Sequence, residues 1–226
     1  MIPKIGAITI GQSPRDDIIP DLKKLIGLEI SIEVYGILDK LGLEEIKSLA
    51  PGKKEDVLMT RLRDGESVTL GYDSVVRSIR ECLTGLRIKG FEIIALLCTC
   101  HFSELEEEKG LVHTSKLMEE KIRKMIKKGR LGVLIPSSEQ ILQTKKRWRR
   151  PGVQVRVASA SPYGKKEEVI SAARSLVDHR VDLIVLDCIG YNLSQYERLK
   201  KTFSIPMILP LELLAQGLKN LIEYPG

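Results

Sequence analysis

Two cysteines occupy equivalent places ninety positions apart, each at the end of an apolar run. Phe91-Glu92-Ile93-Ile94-Ala95-Leu96-Leu97-Cys98 has its counterpart in Val181-Asp182-Leu183-Ile184-Val185-Leu186-Asp187-Cys188. A continuous apolar run of that length reads as a strand buried on both faces of a parallel sheet. A thiol at the carboxyl end of such a strand lies where open α/β sheets bind ligands. Ser13, Thr99, Ser137, Ser159 and Ser161 fall at the same kind of junction, where a strand gives way to a helix or loop. Helix N-termini at these junctions carry partial positive charge, which attracts carboxylates and favours a thiolate over a thiol. A thiolate on one face of a carbon beside a carboxylate, with a thiol on the other face, can remove a proton and return it with inversion. Two such strand ends facing each other would give one cleft with a sulfur on each side, onto which these junctions open, with Arg15 or Ser161 expected near its rim.

The elements that must position these groups repeat as well. Ser74–Leu83 and Glu167–Val177 each place apolar residues at spacings of three and four, as an amphipathic helix does, and each precedes one of the cysteine strands. The chain thus reads as two related α/β halves, a divergent duplication. In the first half, Lys4–Ile10 reads as a strand, Gly11-Gln12-Ser13-Pro14-Arg15 as a turn, and Asp16–Leu25 as a helix with Pro14 and Asp16-Asp17 as start signals. Glu29–Gly36 is expected as a second strand. Val57–Arg63 and Glu66–Leu70 form a hairpin across Asp64-Gly65, inside a Gly36–Gly71 insertion without a counterpart in the second half. That half runs through a helix at Ser115–Lys128, strands at Leu131–Ile135 and Val153–Ala158, the matched helix and the Cys188 strand. A further helix, a short strand at Ile205–Leu209 and a last helix from Pro210 to Leu221 follow. The fold class is α/β, with two pseudo-symmetric lobes of mostly parallel sheet flanked by helices and a hairpin insertion in the first. Residues 1–110 with 208–226 are expected to form one lobe and 111–207 the other.

Composition excludes several alternatives. With 226 residues, 43% of them hydrophobic, the chain can bury a full core and is not a disordered protein. Its apolar runs fall short of the roughly 20 residues of a membrane helix, and no signal-peptide pattern opens it, so a cytoplasmic location is expected. The four cysteines are then reduced thiols rather than a disulfide framework. Charged residues make up 29% and asparagine occurs only at Asn192 and Asn220, a composition typical of heat-adapted proteins. The +6 balance suits an anionic small molecule. Its densest cluster, Lys145-Lys146-Arg147-Trp148-Arg149-Arg150, reads first as the solvated cationic end of a helix and only second as a phosphate-backbone patch. Nucleic acid and membrane are not the expected partners; a homodimer is left open.

Some thiols and imidazoles have plainer roles. Cys82 lies on the apolar side of its helix and reads as core. His113 and His179 stand beside expected helix ends, where they cap or solvate. Cys98-Thr99-Cys100-His101 lacks the two-residue spacer between cysteines and the further ligands of a zinc site, so no metal is expected.

With the opening Ile8-Thr9-Ile10-Gly11-Gln12-Ser13-Pro14-Arg15, the hairpin segment and Leu186-Asp187-Cys188-Ile189-Gly190-Tyr191, nearly the whole chain resembles the AroM family. That family is similar in fold to the aspartate/glutamate racemase superfamily, which includes hydantoin racemases and maleate isomerases. The resemblance implies two α/β lobes with the active site between them and no cofactor. It places the superfamily's acid/base cysteines on Cys98 and Cys188, and its hydroxyl ligands for a substrate carboxylate on Ser13 and Thr99. Racemases usually follow the first cysteine with asparagine and threonine, where Thr99 and Cys100 stand here. They flank the second with glycine and threonine, where Asp187 and Ile189 stand here. Two functions follow: a cofactor-independent racemase or isomerase of a small carboxylate, or a non-catalytic small-anion-binding or regulatory protein of the AroM family.

Overall fold

Strand β1, Lys4–Thr9, is buried from Ile5 onward, as its apolar run requires, and lies between two parallel neighbours. In this computed structural model, which describes residues 2–53 and 55–224, the chain divides into two compact units. One is Met1–Ser115 with Leu214–Gly226 and the other is Lys116–Leu213.

In the first unit, β1 leads through α1 (Ile19–Ile26) to β2 (Ser31–Gly36). Next come α2 (Leu43–Ser48), the antiparallel hairpin β3 (Val57–Arg61) and β4 (Ser67–Gly71), and the long helix α3 (Tyr72–Ile88). β5 (Ile93–Leu97) and the short β6 (Leu111–His113) complete a parallel sheet of order β2-β1-β5-β6. Helix α4 (Thr114–Met125) begins in the first unit and runs into the second. There β7 (Gly129–Ile135), α5 (Ile141–Trp148), β8 (Val153–Ser159), α6 (Lys166–Asp178), β9 (Leu183–Leu186), α7 (Leu193–Thr202) and β10 (Met207–Ile208) follow. They make a second parallel sheet, of order β8-β7-β9-β10. Helix α8 (Pro210–Glu223) begins in the second unit and ends in the first.

The two sheets are topologically the same. β7, β8, β9 and β10 take the places of β1, β2, β5 and β6, and every pairing within both sheets is parallel. The duplicated α/β architecture expected from the repeated helix-strand unit is thus present, with α3 and α6 entering equivalent strands. The inner strands β5 and β9 are apolar and almost wholly buried, whereas the edge strands β2 and β8 are largely half-exposed. α3 packs Val75, Ile79, Leu83 and Leu86 into a core with Ile8, Ile94 and Leu96. Cys82 packs beside that core, as expected. The second core gathers Met118, Ile122, Leu131, Val133, Leu183 and Val185. Among the described residues no helix is long and apolar enough to cross a membrane.

Several local expectations are corrected. α1 begins at Ile19 rather than Asp16, because Pro20, in its first turn, is the effective start signal; residues 16–18 form a turn closed by Ile18 and Ile19 donating to the Arg15 carbonyl. Helix α2 and strand β6 lie in stretches where the sequence shows no such element. His113 is not a capping residue: it ends β6, is buried, and its Nε2 lies 2.8 Å from the Leu105 carbonyl oxygen. His179 does cap, with Nδ1 2.6 Å from the Ser175 carbonyl oxygen at the end of α6. The hairpin turn is wider than the Asp64-Gly65 dipeptide, since Leu62 N–H donates to Glu66 O at 2.8 Å, while Gly65 takes φ 95°, a conformation that favours glycine.

Gly11, two residues past β1, is where the hairpin closes on the sheet. A Cβ there would meet the Arg61 carbonyl oxygen and stand 2.5 Å from Thr60 Oγ1. Gly85, inside α3, has nothing within 4 Å of such a Cβ. Gly11→Ala is therefore expected to destabilise the protein by about 1–3 kcal/mol through overpacking. Gly85→Ala is expected to stabilise it by about 0.5–1 kcal/mol, as alanine replaces glycine in an open helix interior. Urea unfolding with opposite shifts of midpoint and unchanged slope is the check.

Candidate functional site

Both strand ends close in the same way. Cys98 follows β5 directly, and the backbone N–H of Cys100 donates to its Sγ at 3.4 Å. Cys188 lies two residues past β9, and the N–H of Gly190 donates to its Sγ at 3.4 Å. An N–H aimed at sulfur favours the charged thiolate over the neutral thiol. Each thiol thus sits at the carboxyl end of an inner parallel strand and accepts from the N–H two residues on.

In the first unit the adjoining strand end is built around Asp39. Ser13 donates to its carboxylate twice, from N–H at 2.7 Å and from Oγ at 2.8 Å, and Gly36 N–H donates at 2.8 Å. Arg63, from the hairpin turn, reaches the same carboxylate at 3.4 Å and donates from Nε to the Ser13 carbonyl at 2.8 Å. Gln12 fastens the other side: its Oε1 accepts Arg63 N–H at 2.9 Å and its Nε2 donates to the Leu38 carbonyl at 3.3 Å. β1 pairs with β5 through Thr9 and Leu97, so Ser13 and Cys98 emerge from adjacent strands at one sheet edge. Thr99 is buried in the turn after Cys98. Arg15 is also buried; it forks onto Asp17 with two bonds of 2.9 Å and donates to Thr9 Oγ1 at 2.8 Å. Past Cys98, Tyr72 donates to Glu104 at 2.7 Å and stacks on Phe102. Burial, then the Glu104 carboxylate, raises the phenol well above its usual range. His101 pairs with Glu106 at 3.4 Å. Among the described residues no three His, Cys, Asp or Glu side chains gather as a metal-binding group.

In the second unit the residue before the thiol is bound by helix α5. Asp187 is buried, and its carboxylate accepts from Trp148 Nε1 at 2.8 Å and lies 3.5 Å from Arg147 Nη1. Arg147 stacks over the Trp148 ring at 4.5 Å and pairs with Glu119 at 3.7 Å. The basic cluster is therefore not simply a solvated helix end: Lys145, Lys146 and Arg149 are exposed, but Trp148 is core. Arg150 turns back to the Ile122 and Ile126 carbonyls at the end of α4. Tyr191 is fully buried and donates to the Ala160 carbonyl at 2.7 Å. Burial first, then the charges of Cys188 and Asp187, push its phenol up. Ser161 Oγ accepts the Tyr163 N–H at 3.2 Å, and Ser137 caps the turn before α5. Gly190 lets this loop approach, since a Cβ there would come within 2.9 Å of the Tyr163 ring and 3.2 Å of Pro162.

Asp39, Arg63 and the Trp148–Asp187 pair were missed from sequence. Asp39 stands three residues beyond Gly36, the end of β2, and Arg63 directly before the Asp64-Gly65 turn, so the strand-end and turn rules that singled out Ser13 could have flagged both.

Two parallel α/β units of the same topology, each with a cysteine at the end of an inner strand, define the class of fold. The chain is similar over 99% of its length to a glycine-to-cysteine variant of arylmalonate decarboxylase in a sulfate-associated form, at 14% identity, 95% coverage of that chain and a TM-score of 0.64. It is similar to glutamate racemase from Francisella tularensis in complex with D-glutamate, at 13% identity, 98% and 81% coverage and a TM-score of 0.58. It is similar to a maleate isomerase from Pseudomonas putida, at 10% identity, 100% and 94% coverage and a TM-score of 0.65. At these identities the likeness is one of fold. The chain belongs to the AroM family, whose sequence model, described as AroM protein, matches residues 5–222. No curated protein matches it.

Exposure and protonation rank the thiols. Cys98 is 7% exposed, Cys100 and Cys188 are more open, and burial pushes Cys82 up to about 11. Iodoacetamide at pH 8 should label Cys188 and Cys100 ahead of Cys98, with Cys82 last because the thiolate is the nucleophile. Peptide mass spectrometry of the folded protein reads the order; Cys82 labelled first would contradict it. Trp148→Phe leaves the buried Asp187 carboxylate short of its nearest donor and should cost about 1–3 kcal/mol in urea unfolding.

Proposed function

We propose that this AroM protein is a cofactor-independent racemase or isomerase of a small carboxylate, with the two strand ends serving one substrate. One thiolate takes the proton from the carbon beside the carboxylate, leaving a carbanion that the carboxylate stabilises as an enediolate. The opposite thiol gives its proton to the other face of that carbon and becomes the thiolate. Cys98 and Cys188 exchange these roles in the reverse direction. The observation that carries the reading is the contact shared by both ends, an N–H on each sulfur from the residue two positions on. Packing alone requires neither the equivalence nor the donors. The fold neighbours support it: one acts on glutamate as a racemase and was seen with D-glutamate, and another isomerises maleate. Two thiols that flank one carbon would stand no more than roughly 7 Å apart in the working protein, because each must come within about 3.5 Å of it.

A second reading, binding without turnover, is favoured by one observation: Cys98 is buried, and a base must reach its proton. Thermal-shift screening of small carboxylates, followed by solvent-deuterium exchange on those that stabilise the protein, separates the two. The enzyme reading expects exchange at the substrate's acidic C–H that falls by about 10²- to 10⁴-fold in Cys98→Ala and in Cys188→Ala. Stabilisation without exchange selects the binding protein.

A further inference from the structure

A pair of matched thiols treats the two faces of a carbon alike, so orientation of an asymmetric substrate must come from something present in one half only. Among the described residues, the β3–β4 hairpin is the element of the first unit with no counterpart strand pair in the second. Its turn carries Arg63 to the strand end where Ser13 lies. We propose that Arg63 grips the substrate's carboxylate and so fixes which way round the substrate lies. The inference rests on reading the first strand end as a carboxylate site.

The geometry of Arg63 suits the role. A guanidinium has five N–H donors in a planar fork that matches a carboxylate. Here Nε–H is spent on the Ser13 carbonyl, and one Nη2–H reaches Asp39 at 3.4 Å. Nη1 has no partner among the described residues, and the side chain is 56% exposed. Asp39 does not consume the cation. Its carboxylate already accepts three shorter bonds, of 2.7, 2.8 and 2.8 Å, from Ser13 and Gly36, and the contact to Arg63 is the longest of the four. Arg15, the cation that sequence position alone would favour, is buried and forked onto Asp17. The Gln12 bonds and the close approach at Gly11 hold the hairpin turn in place, so Arg63 is presented from a braced element rather than a free loop.

Titration calorimetry of the full chain with malonate, acetate and inorganic phosphate tests this. Wild type should bind malonate more tightly than acetate or phosphate. Arg63→Gln should weaken malonate binding by about 10- to 100-fold, the range expected for loss of a hydrogen bond to a charged group. Arg63→Lys should fall between, because it keeps the charge and loses the fork. Arg61→Gln, whose side chain bonds the Gly65 carbonyl on the same hairpin, should bind as wild type and so controls for hairpin damage. Malonate binding in Arg63→Gln within about threefold of wild type, phosphate preferred over malonate, equal loss in Arg61→Gln, or no binding by wild type would each overturn the proposal. Its failure is separable from that of the enzyme reading. Binding lost in Arg63→Gln with no deuterium exchange in wild type leaves Arg63 in place and removes only the turnover.

Discussion

Four donors from three segments converge on the carboxylate of Asp39, and the shape of the first strand end follows from that convergence. Ser13 follows β1, Gly36 ends β2 and Arg63 comes from the hairpin turn. A half-buried carboxylate in such a place requires donors, and it obtains them by drawing the three segments together. The order this imposes reaches further along the chain. Gly36 has room for no Cβ, because one would stand 2.5 Å from the Gly11 carbonyl, and Gly11 in turn abuts the hairpin backbone. The polar centre and the two glycines act as one device for closing an insertion onto a sheet.

The second strand end meets the same need differently. A carboxylate again lies beside the thiol in sequence, but Asp187 finds its donors in the indole and guanidinium of one helix instead of in three separate segments. The two halves therefore share topology and the N–H contact to each sulfur, and differ in what braces the strand end. Shared topology follows from the parallel sheet, whose inner strands must be apolar and must end on the same edge. The bracing is a side-chain matter and is free to diverge between copies.

That division explains what could be read from sequence. The strands, the paired helices and the thiol positions were legible because apolar runs and helical spacing are local signals that end on a visible residue. β6 escaped because its three residues end on His113, which looks like a cap until its ring is found buried. Asp39 meets Ser13 across 26 residues, Arg63 meets Ser13 across 50, and Trp148 meets Asp187 across 39. Contacts at such separations leave no periodic trace, and only the folded sheet edge brings them together. The basic cluster misled for the same reason: charge density along the chain does not show that the residues at its centre turn inward.

Trp148 gives the fold a property of another kind. It is the sole tryptophan of the sequence, buried, bonded through its indole N–H to the residue before Cys188, and covered by the Arg147 guanidinium. Its excited state is therefore sensitive to two opposite charges, one at the indole N–H and one over the ring. Excited at the red edge, where tyrosine does not absorb, the fluorescence of the protein is in effect a readout of the strand end of the second unit.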